Sequence, residues 1–264
     1  MPLVDKDQSI IFTSSVEQLS LLIKKIKDLT SIDQRIVMRI EPANILIFSF
    51  VGENFKNIHA FKSYIFPIIQ VMNIKKGGID EPIFFVSRDG KRLCRILENL
   101  LDYDQEIKCK ISINEDNYVN LMTFENDKLN IKILGNDVVS IGAQISIEDV
   151  NFLYDTDKSL FNFRINHQDF TRIKRMGMVS SNEEKKTSPL YINVNNKILS
   201  IGEGETKWHL NVAQIEYEDT IMSFPKAYFN TINPTDFIDV FIFEEFILCR
   251  YDDFNLMILM ETTI

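Results

Sequence analysis

Apolar residues along this chain recur at two periods, and the switch between them happens four times. After Ile10-Ile11-Phe12 and the hydroxyl run Thr13 to Ser15, apolar side chains fall at Val16, Leu19, Leu22, Ile23, Ile26 and Leu29. This pattern predicts a short strand, a hydroxyl-capped helix start and an amphipathic helix. The same signals return at Ile83-Phe84-Phe85-Val86, with Ser87 or Asp89 as the cap and Leu93, Ile96, Leu97, Leu100 and Leu101 as the stripe. A third copy runs from Phe161 to Ile165, takes Asn166 as its cap and continues through Phe170, Ile173 and Met176. The fourth has a strand from Thr220 to Phe224, Pro225 at the first helical position and a short helix holding Tyr228, Phe229 and Ile232.

Between these helices the period drops to two. Leu190, Ile192 and Val194 alternate with polar positions before an Asn195-Asn196 turn, and Leu129, Ile131 and Ile133 alternate after an Asn126-Asp127 turn. Such alternation beside turn residues predicts antiparallel hairpins. The segment Phe237 to Thr262 predicts three strands separated by Glu244-Glu245 and Asp252-Asp253. The repeating unit is therefore strand, helix, meander, and the fold class is α+β. Helix starts near positions 15, 87, 167 and 225 are too irregular for a solenoid and too far apart for propeller blades. Pairing the units gives two similar domains, 1–150 and 159–264, joined by a linker at 151–158 in the acidic stretch from Ile147 to Lys158. The competing arrangement is one α+β domain with four unrelated helices.

Composition narrows the function. The chain has 264 residues, 45% of them hydrophobic and 25% charged, which fits a folded soluble protein and excludes a disordered or fibrous one. No apolar run reaches the roughly 20 residues of a membrane helix, and Met1 to Asp7 do not read as a leader. Cys94, Cys109 and Cys249 lie in apolar or alternating segments, as reduced thiols of a cytoplasmic protein would.

The net charge is −9, from 29 basic and 38 acidic residues, yet the four helices together carry +6 and leave −15 for the rest. Lys24, Lys25 and Lys27 lie in the first helix, Arg88, Lys91, Arg92 and Arg95 at the second, Arg172, Lys174 and Arg175 in the third and Lys226 in the fourth. Arg88, Lys91, Arg92 and Arg95 stand at i, i+3, i+4 and i+7 and so share one helix face, opposite Leu93, Leu97 and Leu100. Like charges on one face repel. A solvated face with no role accounts for one such helix, but four with the same bias on an acidic chain point to a polyanion, contacted through its phosphates. Lys174 projects away from Arg172 and Arg175, toward a carboxylate partner instead. No aromatic side chain sits among these basic residues to stack bases, which favours duplex phosphates over a single-strand platform.

Catalytic signatures are missing. Gly202-Glu203-Gly204 is flanked by acids that would repel phosphate and reads as a turn between strands. His59, His167 and His209 lie far apart, without cysteine or carboxylate at metal-ligand spacing, so neither metal nor cofactor is expected. The pairs Glu183-Glu184, Glu244-Glu245 and Asp252-Asp253 read as solvated turn acids. An enzyme is not expected.

A duplicated strand-helix-meander unit, two per domain, with basic helices on an acidic chain of this length, resembles the DNA sliding clamps. The likeness is to the two-domain type, the proliferating-cell nuclear antigen and the clamps of T-even-like bacteriophages, and leans to the phage type. It is carried best by Thr220 to Ile232 with the meander that follows it, and next by Leu160 to Met176. The resemblance implies a clamp fold with helices on one concave face and antiparallel sheets outside, closed into a homotrimeric ring around double-stranded DNA. It implies a processivity factor that tethers DNA polymerase in replication, is opened by an ATP-dependent loader and acts in the cytoplasm, that of a bacterial host if phage-encoded. It further implies a pocket for a client's hydrophobic peptide, for which Val150, Phe152, Leu153, Tyr154 and Met260 are candidates. The alternatives are a viral or phage assembly protein and a clamp-fold transcription cofactor.

Overall fold

The computed structural model describes residues 8–52, 58–101, 106–125, 128–136, 145–176, 189–203, 206–210 and 215–260. The expected turn at Asn126-Asp127, the pair Glu183-Glu184, Gly204, Thr262 and the segment Met1 to Asp7 lie outside them. The chain divides into two compact units: described residues up to 57 with 63–149, and 58–62 with those from 150 onward.

The first unit contains β1 (Gln8–Ser14), α1 (Val16–Leu29), β2 (Ile36–Ile40), β3 (Asn44–Gly52) and the second half of β4 (Ile58–Pro67). It continues through β5 (Asn73–Lys76), β6 (Ile83–Ser87), α2 (Gly90–Glu98), β7 (Ile107–Ile113), β8 (Val119–Glu125) and β9 (Asn130–Leu134) into the start of α3 (Ile147–Leu153). The second unit holds β10 (Phe161–Asn166), α4 (His167–Met176), β11 (Pro189–Asn195), β12 (Ile198–Glu203) and β13 (Thr206–His209). After these come β14 (Thr220–Pro225), α5 (Lys226–Phe229), β15 (Phe237–Ile242), β16 (Phe246–Tyr251) and β17 (Phe254–Leu259).

Strand pairing shows how the repeats combine. In the first unit β1, the opening strand of one repeat, pairs antiparallel with β7, the first meander strand of the other, while β6 pairs with β2. The second unit repeats the exchange, with β10 on β15 and β14 on β11. Neither repeat of a pair closes its own sheet, so the strand-helix-meander unit is stable only as a couple. One sheet of the first unit has the order β5-β1-β7-β8-β9, and one sheet of the second has the order β13-β12-β11-β14.

Burial follows the alternation. Along β10 every second residue is buried, with Phe161, Phe163 and Ile165 inward and Asn162 and Arg164 outward, the mark of a sheet covered on one face. In β3 the six residues Ile45 to Phe50 are all buried. Phe229 of α5 stands between Phe170 of α4, ring centres 5.1 Å apart, and Phe224 of β14, at 5.6 Å. Each such ring contributes about 2–3 kcal/mol of apolar burial. Hairpin turns use left-handed backbone where two-residue loops demand it: Asn196 and Lys197 between β11 and β12, Asp252 and Asp253 between β16 and β17.

Three details depart from the sequence pattern. The second helix stops at Glu98 rather than running to Leu101, and Leu100 and Leu101 close a turn by donating their N–H groups to the carbonyls of Leu97 and Glu98, each at 3.0 Å. Pro225 is the extended cap of α5, not its first helical residue. The stretch expected as linker holds the last three residues of α3 and a 3₁₀ turn, Thr156–Lys158; the helix forms because Ser146 and Asp149 make a capping box. There the Ser146 hydroxyl accepts from the Asp149 N–H at 3.0 Å, and the Asp149 carboxylate accepts from the Ser146 N–H at 2.8 Å.

Candidate nucleic-acid interface

The start of α1 is set by Ser15, whose hydroxyl accepts from the Gln18 N–H at 3.2 Å while the Gln18 side chain accepts from the Ser15 N–H at 2.9 Å. This phase turns Leu19, Leu22, Ile23, Ile26 and Leu29 inward. It also turns Lys25 inward, because Lys25 follows Leu22 by three residues and precedes Leu29 by four. Lys25 is 5% exposed, with its ammonium 3.8 Å from the Tyr64 ring centre, so its expected DNA-facing role is corrected: it is a core residue. Lys24 and Lys27 remain exposed, and Lys27 forms an ion pair with Glu98 of α2 that raises the Lys27 pKa.

The second helix starts at Asp89, whose carboxylate accepts from the Arg92 N–H at 2.9 Å, and at Gly90, whose N–H donates to the Gln34 carbonyl at 2.7 Å. Leu93, Cys94 and Leu97 face the core, and Cys94 Sγ lies 3.9 Å from the Ile23 carbonyl of α1, joining the two helices. Lys91, Arg92 and Arg95 are exposed on α2; Arg88 is exposed too but precedes the cap Asp89, so it does not share the helix face as expected. Arg88 and Arg92 flank a cleft of about 380 Å³ whose far wall includes Lys132 and Leu134 of β9. Lys132 therefore adds a cation that the helix tally missed, although its outward position is legible in the alternation of β9.

In the second unit Asn166 caps α4 by accepting from the Asp169 N–H at 2.9 Å, which turns Phe170 and Ile173 inward and leaves Arg172 and Arg175 exposed. The Arg172 guanidinium lies 3.4 Å from Asp169 and 5.1 Å from the ring centre of Trp208 on β13. An aromatic thus does accompany the basic helices, brought from another strand. Lys174 is half-buried and donates to the Ile232 carbonyl at 3.0 Å, and burial lowers its pKa. It is withdrawn from the phosphate-facing set. So is Lys226, which is 5% exposed and ion-paired with Glu203 of β12. The outward position of this one-turn helix is taken by Ala227, and its only lysine neutralises the acid that the Gly202-Glu203 segment brings inside.

The peptide-pocket candidates divide. Val150 and Tyr154, one helical turn apart, are buried, with the Tyr154 ring 6.5 Å from Phe61, whereas Phe152 is 70% exposed beneath Lys158. Leu153 and Met260 are half-buried. The thiols are buried; burial pushes Cys94 up to about 11, Cys249 to about 12 and Cys109 higher still. Among the described residues no cluster of His, Cys, Asp and Glu could hold a metal ion, and no helix is long and apolar enough to cross a membrane.

No family model matches the chain and no curated protein matches it. Solved structures do. A DNA polymerase III beta chain from Streptococcus pneumoniae matches with a TM-score of 0.64 at 10% identity, over 97% of this chain and 66% of that one. The DNA polymerase III subunit beta from Borrelia burgdorferi gives 0.60 at 13% identity, over 96% and 65%. A DNA polymerase sliding clamp from Pseudomonas aeruginosa gives 0.64 at 9% identity, over 97% and 65%. The chain spans about two thirds of the length of these structures. With nearly all of its length matched, with reciprocally paired strand-helix-meander units and with antiparallel sheets, the chain has the fold of the DNA sliding clamps.

Proposed function

We propose that this protein is a sliding clamp: a ring of three copies that encircles duplex DNA and holds a DNA polymerase at the primer end. The observation that carries the reading is the set of exposed cations on α1, on α2 and just before α2, namely Lys24, Lys91, Arg92, Arg95 and Arg88, on an acidic chain with the clamp fold. Exposed lysines and arginines suit a phosphate backbone of any sequence, and the acidic remainder repels DNA from other surfaces. Tethering raises the local concentration of the polymerase, so the protein works without catalysing a step. An ATP-dependent loader opens the ring. Sheet ends support closure, because among the described residues β9 and β13 are the outermost strands of their sheets, and Leu134 at the end of β9 is 75% exposed.

Light scattering over a wide concentration range tests the ring. Three copies of 30.8 kDa give about 92 kDa, reached in a concentration-dependent manner. A monomer at every concentration removes the mechanism, and a dimer favours the assembly-protein reading. In a companion assay, loaded clamps stay on nicked circular DNA and leave once it is linearised; retention on linear DNA with free ends would count against encirclement.

A further inference from the structure

The second unit offers a thinner basic face than the first: with Lys174 and Lys226 turned inward, Arg172 and Arg175 remain on its helices. Arg172 lies over an aromatic ring, Trp208, as exposed Arg164 of β10 lies over Phe237 at 3.9 Å, but Arg172 does so on a basic helix. Trp208, the chain's single tryptophan, pairs in register with Ile201, which pairs with Ile192, which pairs with Met222. Directly opposed residues share a sheet face, and Ile201 and Ile192 are fully buried, so Trp208 is the last member of a packed row. One part of the indole is held by that row while the ring supports the Arg172 guanidinium at 5.1 Å. Asp169, itself bonded to Asn166, contacts the same guanidinium at 3.4 Å.

We infer that Trp208 is a positioning residue for phosphate contact: it seats Arg172 in one orientation on the second unit, so that a flexible cation becomes a preorganised one. The inference rests on the clamp reading and adds to it a residue remote in sequence from every basic helix. An arginine on an aromatic face keeps its charge and in-plane donors available while losing less freedom on binding, and lysine is no substitute at such a seat.

The test is a titration of the full-length protein with a short DNA duplex at low salt, read by anisotropy of the labelled duplex and by Trp208 emission. Emission is expected to change on duplex addition and to return when salt is raised. Trp208→Leu and Arg172→Lys should each weaken binding roughly two- to fivefold. Trp208→Phe should restore most of the loss, and Trp208→Leu on an Arg172→Ala background should cost nothing more. Arg92→Ala separates the failures. If it weakens binding while Trp208→Leu does not, the positioning role falls and the clamp reading stands. If neither variant changes binding, the DNA reading falls and takes this inference with it. Should Trp208→Leu fail to give a cooperative melt, Arg172→Lys and the wild-type emission decide; a silent emission with unchanged Arg172→Lys affinity overturns the proposal.

Discussion

Lys25 holds its ammonium 3.8 Å from the centre of the Tyr64 ring, on the inward side of a helix whose neighbouring residue, Lys24, faces solvent. Adjacent lysines thus serve opposite purposes, because consecutive positions on a helix are about 100° apart. Lys24→Ala is expected to weaken duplex binding and flatten its salt dependence, whereas Lys25→Met should leave both unchanged. Anisotropy titrations at several salt concentrations distinguish them, and equal losses would return Lys25 to the phosphate-facing set.

Removing Arg88, Lys91, Arg92 and Arg95 together should leave a cooperative unfolding transition in place, since all four are exposed. Each phosphate that is no longer neutralised lowers the slope of log affinity against log salt by about 0.9. Primer extension should become less processive. A variant that loads normally and is fully processive would exclude α2 from the DNA-facing surface.

The ion pair between Lys226 and Glu203 belongs to stability rather than binding. Neither side chain is more than 10% exposed, so Lys226→Ala removes the cation beside a carboxylate held away from water and should cost about 3–5 kcal/mol in urea unfolding, with duplex affinity at low denaturant preserved. Replacing both, as Lys226→Met with Glu203→Leu, should cost less than the single change. A double variant as unstable as the single one would show that the charge itself is not the issue.

Gly90 sits where a side chain has no room. A Cβ there would lie 2.5 Å from Thr30 Cγ2, 2.7 Å from Ile36 Cγ1 and 3.1 Å from the Gln34 carbonyl. Gly90→Ala should therefore push α2 off the end of α1 and destabilise by about 1–3 kcal/mol, despite alanine's better helix propensity. Unchanged thermal stability would mean that α2 is more loosely seated than its hydrogen bond to Gln34 indicates.

Alkaline pH acts through the buried thiols. Cys94 has its pKa raised to about 11 by burial, assisted by Glu98, so the unfolded chain releases this proton first. Stability then holds below the ordinary thiol pKa, near 9, and falls progressively as pH rises toward 11. Urea midpoints measured across that range should decline less steeply in Cys94→Ala than in the wild type; parallel curves would remove the thiol from the account.

The repeat was legible because it is written in local signals. Ser15, Asp89 and Asn166 cap the helices where hydroxyl, carboxylate or amide side chains precede an apolar stripe, and Asp252-Asp253 turns a hairpin where two residues separate two apolar runs. Each of these depends on neighbours within four residues, which sequence spacing records directly. The Ser146–Asp149 capping box was equally visible, yet its acidic surroundings read as a linker. The basic face on α2 was readable for the same local reason: Lys91, Arg92 and Arg95 at helical spacing opposite Leu93 and Leu97 admit one outward side, although Arg88 and Leu100 fall outside the helix.

Residue order is enough to set the period of each element, the four-fold repetition and the exposure of the α2 arginines, because those follow from backbone geometry acting over a turn or two. Long-range packing settles which repeat closes which sheet, why Lys25 and Lys226 are inside, and that Trp208 lies under Arg172. Those outcomes depend on partners tens of residues away, Tyr64 for Lys25, Glu203 for Lys226 and a whole cross-strand row for Trp208. Net charge counts every lysine alike. Only packing determines which of them keeps its charge in water and which is buried against a ring or a carboxylate.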